Sequence, residues 1–227
     1  MNRRHFFGAA ASIAWLRGAE TKPKLLLPSD QPDNLSFRLM WYNPVPPINQ
    51  ETYRLRIGGL VERPQTLAVT DLRRFPHVNQ DSRMKCVQCW SSRTTWGGFR
   101  IASLLDLVKP RRGAKAVRFD CADKWYEYFN IDDLLSPRVL LAMDMAGAPL
   151  ADRHGAPLRL IDPSRYGYKS AKLITAVTFL AEGKGSMACD IASFYSASGE
   201  ILAGYDHPLD IGPKEKRKIK GGEITEY

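Results

Sequence analysis

The sequence predicts an α+β fold, built on a mixed and mostly antiparallel sheet with a few short helices. Several short stretches alternate apolar and polar residues, which is typical of half-buried strands. Two other stretches have helical spacing, and both end at a proline. The 15 prolines and 17 glycines are spread along 227 residues and interrupt longer elements, so a helical bundle is not expected.

The predicted elements follow in chain order. A strand over "TYRLRIGGLV" ends at a Gly58-Gly59 turn, and "LAVTDLRRFP" predicts a short helix that is capped by Thr70 and stopped by Pro76. The second helix lies in "FRIASLLDLVKP", where apolar side chains recur at helical spacing up to Pro110. Further strands are predicted in "AKAVRFDCAD", "RVLLAMDMAGAPL" and "APLRLID", and over residues 172–181.

The N-terminal residues have the layout of an export signal. Arg3 and Arg4 precede an apolar run from Phe6 to Leu16, and the small residues Gly18 and Ala19 follow. The run is shorter than the roughly 20 residues that an ordinary membrane-spanning helix needs. The paired arginines resemble the twin-arginine export motif. We therefore expect a twin-arginine-type signal over residues 1–19 and a single domain over residues 20–227, without long regular elements before residue 50.

Composition and charge narrow the class of function. The net charge of +9 is compatible with an anionic ligand or an acidic partner. No zinc-finger spacing, RNP-like aromatic run or basic helix is present, so no nucleic-acid partner is predicted. No segment after the signal region is long and apolar enough to cross a membrane. Membrane contact is therefore expected only through the signal or through a partner.

The segment "MKCVQCWSSRTTWGGF" contains Cys86 and Cys89 in a CxxC spacing, which leaves several interpretations open. A thioredoxin-type motif should open a helix, but the residues that follow lack a helical pattern. A zinc site needs a second pair of ligands, and Cys121 and Cys189 are isolated in the sequence. Haem attachment needs a histidine where Trp90 stands. A buried pair of thiols and a thiol–disulfide oxidoreductase that uses both cysteines remain alternatives.

Two segments resemble the sulfite oxidase family of molybdopterin enzymes. "KCVQCWSSRTTWGGFRIASLLDLV" is similar to the family's metal-ligand segment, with a ten-residue step from Cys86 to Trp96. "HGAPLRLIDPSRYGYKSAKLI" is similar to a second family segment, and the resemblance extends over roughly residues 40–225. Within the family, the similarity is greatest to periplasmic methionine-sulfoxide reductase catalytic subunits and their short, single-domain relatives. The resemblance implies a sulfite-oxidase-type molybdopterin-binding fold.

The resemblance also implies a cofactor, Mo-molybdopterin, and residues that hold it. Cys86 is the implied molybdenum ligand, because a soft thiolate suits a redox-active transition metal. Arg159, Lys169, Lys172 and the loop over residues 166–170 are expected to bind the pterin phosphate. Six residues match motif positions for which the resemblance implies cofactor contacts, and two of them have just been named: Asn43, Cys121, His154, Arg159, Ser170 and Lys172. Arg93 and Tyr126 are candidates for a substrate-facing catalytic role beside Cys86.

The function that the resemblance implies is oxygen-atom transfer on a small sulfur oxide or sulfoxide. The sequence contains no haem motif, so two electrons are expected to pass to or from a separate carrier, such as a cytochrome or a membrane haem subunit. The signal predicts a periplasmic protein that crosses the membrane already folded, after its cofactor has been inserted.

Overall fold

The computed structural model describes residues 33–38, 41–87, 91–192 and 195–201, and these residues form two five-stranded sheets. The predicted export signal lies outside the described residues. The helices and strands are, in chain order, β1 (Leu55–Gly59), β2 (Gln65–Leu67), α1 (Val69–Leu72), β3 (Val78–Lys85), β4 (Ser91–Phe99), α2 (Ile101–Val108), β5 (Ala116–Cys121), β6 (Tyr126–Asn130), α3 (Ile131–Leu134), β7 (Leu140–Met145), β8 (Ala148–Pro149), β9 (Arg159–Ile161), β10 (Ile174–Leu180) and α4 (Met187–Ile191).

The first sheet has the strand order β2-β1-β10-β5-β6. Strands β1 and β10 are parallel, and the other neighbours in this sheet are antiparallel. The second sheet has the order β3-β4-β7-β8, with β9 also paired to β7, and all of its pairs are antiparallel. The mixed, mostly antiparallel α+β architecture predicted from the sequence is therefore confirmed.

The main core lies between the two sheets and is completed by α2. The inner face of the first sheet contributes apolar side chains that alternate along β1, β5 and β10, and the second sheet contributes residues of β7 and β9. Strand β7 is buried on both faces, because Leu141 belongs to this core while Leu140 packs in a smaller core around Trp96 and Phe37. This position explains why β7 is apolar from Leu140 to Met143 rather than alternating.

Close backbone approach explains one glycine in the second sheet. Strands β4 and β7 change register between Gly97 and Gly98. A Cβ atom on Gly98 would collide with the carbonyl oxygen of Leu141 on β7. The "WGGF" sequence therefore allows β4 to lie against a strand that is buried on both faces.

Three local predictions need correction. Helix α1 begins at Val69, and its first turn is closed by Asp71, whose Oδ2 accepts a hydrogen bond from the Ala68 N–H at 3.0 Å, so the predicted Thr70 cap is wrong. Strands β2, β3, β4 and β6 were not predicted, since polar residues interrupt their apolar pattern in the sequence. Strand β10 begins at Ile174 rather than at residue 172, because Leu173 has a left-handed φ of 53° that interrupts the strand. No helix among the described residues is long and apolar enough to span a bilayer.

Candidate cofactor site

Cys86 lies immediately after the last residue of β3. Strand β3 pairs with β4 over eight residues, from Val78 opposite Gly98 to Lys85 opposite Ser91. This ladder fixes the end of β3 and therefore the start of the segment that carries the thiol. Cys86 is half-buried, and it forms no disulfide with Cys121 or Cys189, the other two described cysteines. Cys89 lies outside the described residues.

Lys172 brings the predicted site residues together. The left-handed turn at Leu173 takes Lys172 off strand β10, and its backbone forms an isolated bridge with Arg159 of β9. Its Nζ lies 4.3 Å from the centroid of the Trp41 ring. Burial and, second to it, Arg159 lower the pKa of Lys172 to about 7, against the opposing effect of three groups: Asp123, Cys121 and Cys86. One ammonium group thus interacts with both cysteines and with Arg159.

Arg159 is a buried cation on β9, with 2% of its surface exposed. Its Nη1 donates to the His154 carbonyl at 2.9 Å, its Nη2 lies 3.7 Å from the Met84 sulfur, and its guanidinium stacks 5.0 Å from the centroid of the Trp96 ring. Within the described residues no carboxylate is paired with it. Burial lowers the pKa of Arg159 to about 9, an effect that Cys121 opposes. A buried cation without an acid is costly, so this arrangement favours an anionic ligand.

His154 ends a short 3-10 turn, Asp152–His154, next to Arg159. Gly155 follows with a φ of 96°, and a Cβ atom there would lie 2.7 Å from Lys172 Cβ. Glycine at this position therefore lets the His154 turn approach Lys172 closely. The His154 Nε2 lies 2.9 Å from Asp33 Oδ2, and both side chains are almost fully buried. Burial and, second to it, Arg159 lower the pKa of His154 to about 4, and Asp33 opposes the shift.

Asn43 is bound to the turn that follows Cys121 at the end of β5. The Asn43 Nδ2 donates to the Asp123 carbonyl at 2.7 Å, and the Tyr42 N–H donates to the Asp123 carboxylate at 2.9 Å. Cys121 is buried at the end of β5, on the inner face of the first sheet. Burial, reinforced by Asp123, raises the pKa of the Cys121 thiol well above its usual value, and Lys172 opposes the shift. Cys121 is therefore a neutral thiol at neutral pH.

The loop over residues 166–170 passes beside the end of β3. A Cβ atom on Gly167 would lie 3.3 Å from the Lys85 carbonyl oxygen, so the loop is close to the segment that carries Cys86. Ser170 is buried, and its N–H donates to the Gly167 carbonyl at 3.1 Å. Lys169, however, is wholly buried and lies 2.6 Å from a Glu127 carboxylate oxygen. The prediction that Lys169 binds a phosphate is wrong, because its charge is already neutralised inside the protein.

The two predicted substrate-facing residues lie elsewhere. Arg93 is on the exposed face of β4, and its Nη1 lies 2.8 Å from Asp81 of β3. Tyr126 is on the outer face of the first sheet, where its hydroxyl donates to Asp190 and raises the pKa of Tyr126 to about 12. The contacts that the structure gives these side chains are with Asp81 for Arg93 and with Asp190 and Arg118 for Tyr126, and these contacts give a catalytic role for Arg93 or Tyr126 no support.

The comparison with known families matches the part of the chain that carries this cluster. The sequence model described as "Oxidoreductase molybdopterin binding domain" matches residues 42–187. The chain belongs to this family. The family resemblance seen in the sequence is thereby confirmed, and so is the cofactor, Mo-molybdopterin, that it implied. The thiol–disulfide alternative receives no support.

Individual relatives agree with this assignment. The protein-methionine-sulfoxide reductase catalytic subunit MsrP of Campylobacter jejuni is 30% identical over 178 residues, which cover 70% of this chain and 60% of that protein. The MsrP of Pseudomonas syringae pv. tomato is 29% identical over 196 residues, covering 77% of this chain and 57% of that protein. The chain thus spans about three fifths of the length of these relatives.

A solved structure supports the fold. The sulfane dehydrogenase SoxCD from Paracoccus pantotrophus superimposes with a TM-score of 0.56 at 22% identity, over 60% of this chain and 40% of that chain. At this identity the likeness concerns the fold, which is the sulfite-oxidase-type molybdopterin-binding fold predicted from the sequence.

The residues of the cluster fit a molybdopterin. Three buried nitrogens of this cluster, Trp96 Nε1, His154 Nδ1 and Arg159 Nε, have no hydrogen-bond partner among the described residues, and neither has Asp33 Oδ2 beside His154. Buried polar atoms are normally satisfied, so these three indicate a polar ligand. Arg159 and Lys172 supply positive charge for a phosphate, and Cys86 supplies a sulfur for a soft metal. Sequence reasoning found most of this set from the motifs.

Three further residues of the site were not found from the sequence. Trp41 lies under Lys172, Asp123 holds Asn43, and Asp33 contacts His154. The first stands in "MWYNPVPP" beside the predicted Asn43, so proximity to a motif residue was its only signal. Asp33 and Asp123 had none, because each acts through a contact with a residue far away in the chain.

Proposed function

We propose that this domain is a molybdenum-cofactor oxidoreductase that catalyses oxygen-atom transfer on a small sulfoxide-type or sulfur-oxide substrate. The observation that carries the proposal is Arg159, a buried cation with no carboxylate partner among the described residues. Its backbone bridges to Lys172, a second basic residue, whose charge is attracted by Cys86 and Cys121. A cation in this setting needs an anion, and the family to which the chain belongs binds a pterin that carries a phosphate.

Cys86 is the described cysteine best suited to hold the metal. A metal ligand must be a thiolate. Burial and Asp123 keep Cys121 protonated, whereas Cys86 is only half-buried and lies where the Lys172 ammonium can act on it. Cys121 then serves as a neutral thiol that contacts the pterin from the first sheet. When bound, the molybdenum centre supplies the oxygen-atom transfer and the accompanying two-electron redox change.

The remaining residues bind and orient the cofactor. Arg159 and Lys172 attract its negative charge from two sides of their backbone bridge. The unpartnered Trp96 Nε1 is a donor, and the unpartnered His154 Nδ1 provides a further polar contact. The apolar surroundings of this cluster, which include Met84 and Phe37, reduce the access of water and so strengthen each of these interactions.

The names of the relatives favour a sulfoxide as substrate. Both curated relatives are named as protein-methionine-sulfoxide reductase catalytic subunits, so reduction of a sulfoxide is the direction we propose. Electrons then come from a separate carrier, such as a cytochrome or a membrane haem subunit. The net charge of +9 suits docking to an acidic carrier. A periplasmic location with twin-arginine export is part of the proposal and rests on residues 1–19.

The first test measures the cofactor. Protein from a host that makes molybdenum cofactor should contain about one molybdenum and about one pterin per chain, as expected for a single-site metalloenzyme. Cys86→Ser should lose the molybdenum, since it removes the thiolate ligand, while Cys189→Ser, outside the cluster, should keep it. Plasma mass spectrometry and pterin fluorescence give the two contents. Metal-free protein with a redox-active dithiol would contradict the proposal and favour the thiol–disulfide alternative.

A substrate panel with an artificial electron donor then separates sulfoxides from sulfite. The expected result is reduction of methionine sulfoxide by the loaded wild-type protein and none by Cys86→Ser. If the protein oxidised sulfite and reduced no sulfoxide, this result would contradict the proposed direction of oxygen-atom transfer.

A further inference from the structure

Residues 195–201 form a short segment, here called the strap, that lies on the loop over residues 166–170. The strap, all of which the structure describes, contains no helix or strand, and most of its residues are exposed. The carbonyl groups of residues 196–199 each accept a hydrogen bond from residues 165–169. The donors, in the order of these carbonyls, are the Tyr168 hydroxyl at 2.7 Å, Lys169 Nζ at 2.9 Å, Arg165 Nη1 at 2.5 Å and the Tyr166 N–H at 2.8 Å. Hydrogen bonds from the loop, rather than a core of its own, therefore hold the strap in place.

Gly199 lies tightly against the loop. It is buried, it has a left-handed φ of 68°, and a Cβ atom there would lie 2.3 Å from Lys169 Cγ. The Lys169 side chain is not free to move aside, because its Nζ lies beside a Glu127 carboxylate oxygen and donates to the Tyr128 carbonyl. Position 199 therefore requires glycine both for its backbone conformation and for space.

The loop connects the strap to the cofactor site. A Cβ atom on Gly167 would lie 3.3 Å from the carbonyl oxygen of Lys85, the residue directly before Cys86. Ser170 ends the loop and Lys172 follows two positions later, and both are among the residues proposed to bind the cofactor. A shift of the loop would therefore displace these groups relative to one another.

Loss of the strap would leave part of the loop unsatisfied. The Tyr166 N–H donates to the Gly199 carbonyl, and Tyr166 is only 4% exposed. A buried donor without an acceptor is unfavourable, so the loop would rearrange if the strap came away. The docked strap therefore stabilises the loop conformation that lies against the end of β3.

We propose that the strap is a positioning element for the cofactor: by fixing the loop over residues 166–170, the docked strap strengthens binding of the pterin, and the bound pterin in turn stabilises the docked strap. This inference rests on the proposed function. Coupling between two such equilibria is reciprocal, so both effects have the same factor, which is typically about 5- to 150-fold. The docked fraction of the strap should therefore differ between cofactor-loaded and cofactor-free protein.

Hydrogen exchange of the wild-type protein tests the effect of the cofactor on the strap. The Tyr166 N–H donates to the Gly199 carbonyl, and the Ile201 N–H donates to the Ser164 carbonyl at 3.3 Å, so both amides report on strap docking. Amides in such contacts exchange when the contact opens locally. Both should exchange about tenfold more slowly in cofactor-loaded protein than in cofactor-free protein, a factor within the usual range of coupling.

Cofactor retention tests the reverse effect. Gly199→Ala should lower the pterin content after dialysis about tenfold, because its methyl group prevents the strap from docking against Lys169. Gly147→Ala is the matched control: Gly147, in the turn between β7 and β8, also has a left-handed φ, 78°, but a Cβ atom there has no neighbour within 4 Å. This control should keep its pterin. Tyr168→Phe removes one donor to the strap and keeps the ring, whose centroid lies 5.0 Å from that of Tyr195, and it should also lower retention.

The outcomes separate this inference from the proposed function. Wild-type protein that holds no pterin would overturn the proposed function. If the wild type holds pterin, equal exchange of the two amides in loaded and cofactor-free protein would overturn the role of the strap alone. So would full retention in Gly199→Ala and Tyr168→Phe, which is the result expected if the strap only stabilises the fold. An equal loss of pterin from Gly147→Ala would ascribe the effect to backbone strain and would also overturn that role. The wild-type exchange and Tyr168→Phe decide even if Gly199→Ala does not fold.

Discussion

Arg159 illustrates how single residues of this site derive their chemistry from burial. An arginine on a protein surface is a hydrated charge, but Arg159 is enclosed by Trp96, Met84 and the His154 carbonyl. Its field also acts on its neighbours and lowers the pKa of both His154 and Lys172. Exclusion of water raises the free-energy cost of burying each charge, and it strengthens the attraction between that charge and an anion. The folded protein therefore already has a positive site that attracts an anion before any ligand binds.

The low pKa of His154 predicts a pH dependence of stability in the cofactor-free protein. The unfolded imidazole has a pKa of about 6.5, whereas the folded value is about 4. Between these values the unfolded chain binds more protons, so stability rises with pH, is complete above the unfolded pKa and is lost as the pH falls toward the folded pKa. From about pH 7 to about pH 5 this group should remove on the order of 1–2 kcal/mol of unfolding free energy. Urea unfolding at both pH values measures it.

Matched histidine variants test the assignment to His154. His154→Asn should flatten the dependence over this pH interval, because asparagine does not titrate. His77→Asn should leave it in place, since His77 is an exposed partner of Asp144 on the protein surface. Charged groups around His154 that influence the same measurement are Asp33, Arg153, Arg159 and Lys172. An unchanged pH dependence in His154→Asn would contradict the prediction.

At the scale of the elements, the sequence predicted best what local patterns determine. Strand β5 and helix α2 were recovered because their apolar spacing reflects one buried face. Strand β3 was not predicted, because its hydrogen bonds to β4, rather than its own composition, determine its extended conformation. Lys169 was misassigned for a similar reason: its partner Glu127 is 42 positions away in the chain, and no local signal distinguishes a buried lysine from an exposed one.

The buried ion pair between β6 and the loop over residues 166–170 should be essential to that loop. Lys169 Nζ lies 2.6 Å from Glu127 and also donates to the carbonyls of Tyr128 and Ala197, each at 2.9 Å. Burial already raises the pKa of Glu127, an effect that Lys169 opposes. Lys169→Met leaves the carboxyl group buried without its cation, and we expect a loss of about 3–5 kcal/mol in unfolding free energy. Chemical denaturation measures this loss.

An exposed ion pair provides the matched control. Lys184 and Glu182 lie 3.4 Å apart with side chains that are mostly exposed, so Lys184→Met should cost at most about 1 kcal/mol. The double variant Lys169→Met with Glu127→Leu should recover part of the loss, because it removes the uncompensated charge. Equal effects of Lys169→Met and Lys184→Met would show that burial of the first pair has no energetic consequence.

At the scale of the whole molecule, the site joins the two sheets. Cys121 comes from the end of β5 in the first sheet, Arg159 from β9 in the second, and Lys172 bridges to Arg159 just before β10 returns to the first. The motifs in the sequence named these residues individually. Their convergence could not be predicted from the sequence, because it depends on the left-handed turn at Leu173, the close approach at Gly155 and the packing of one sheet on the other.

A ligand bound between two sheets should stabilise both of them. Binding to the folded state alone raises the unfolding free energy by mass action, and groups held by the ligand open less often. We expect cofactor-loaded protein to exchange its amide hydrogens more slowly than cofactor-free protein near Cys121 in the first sheet and near Arg159 in the second. The edge strands β2 and β8 should be unchanged, since neither contributes a residue to the site. Hydrogen-exchange mass spectrometry compares the two forms, prepared from hosts with and without molybdenum-cofactor synthesis. Protection confined to one sheet would mean that the cofactor does not couple them, whereas protection of both, lost again in Cys86→Ser, would place the ligand between the sheets.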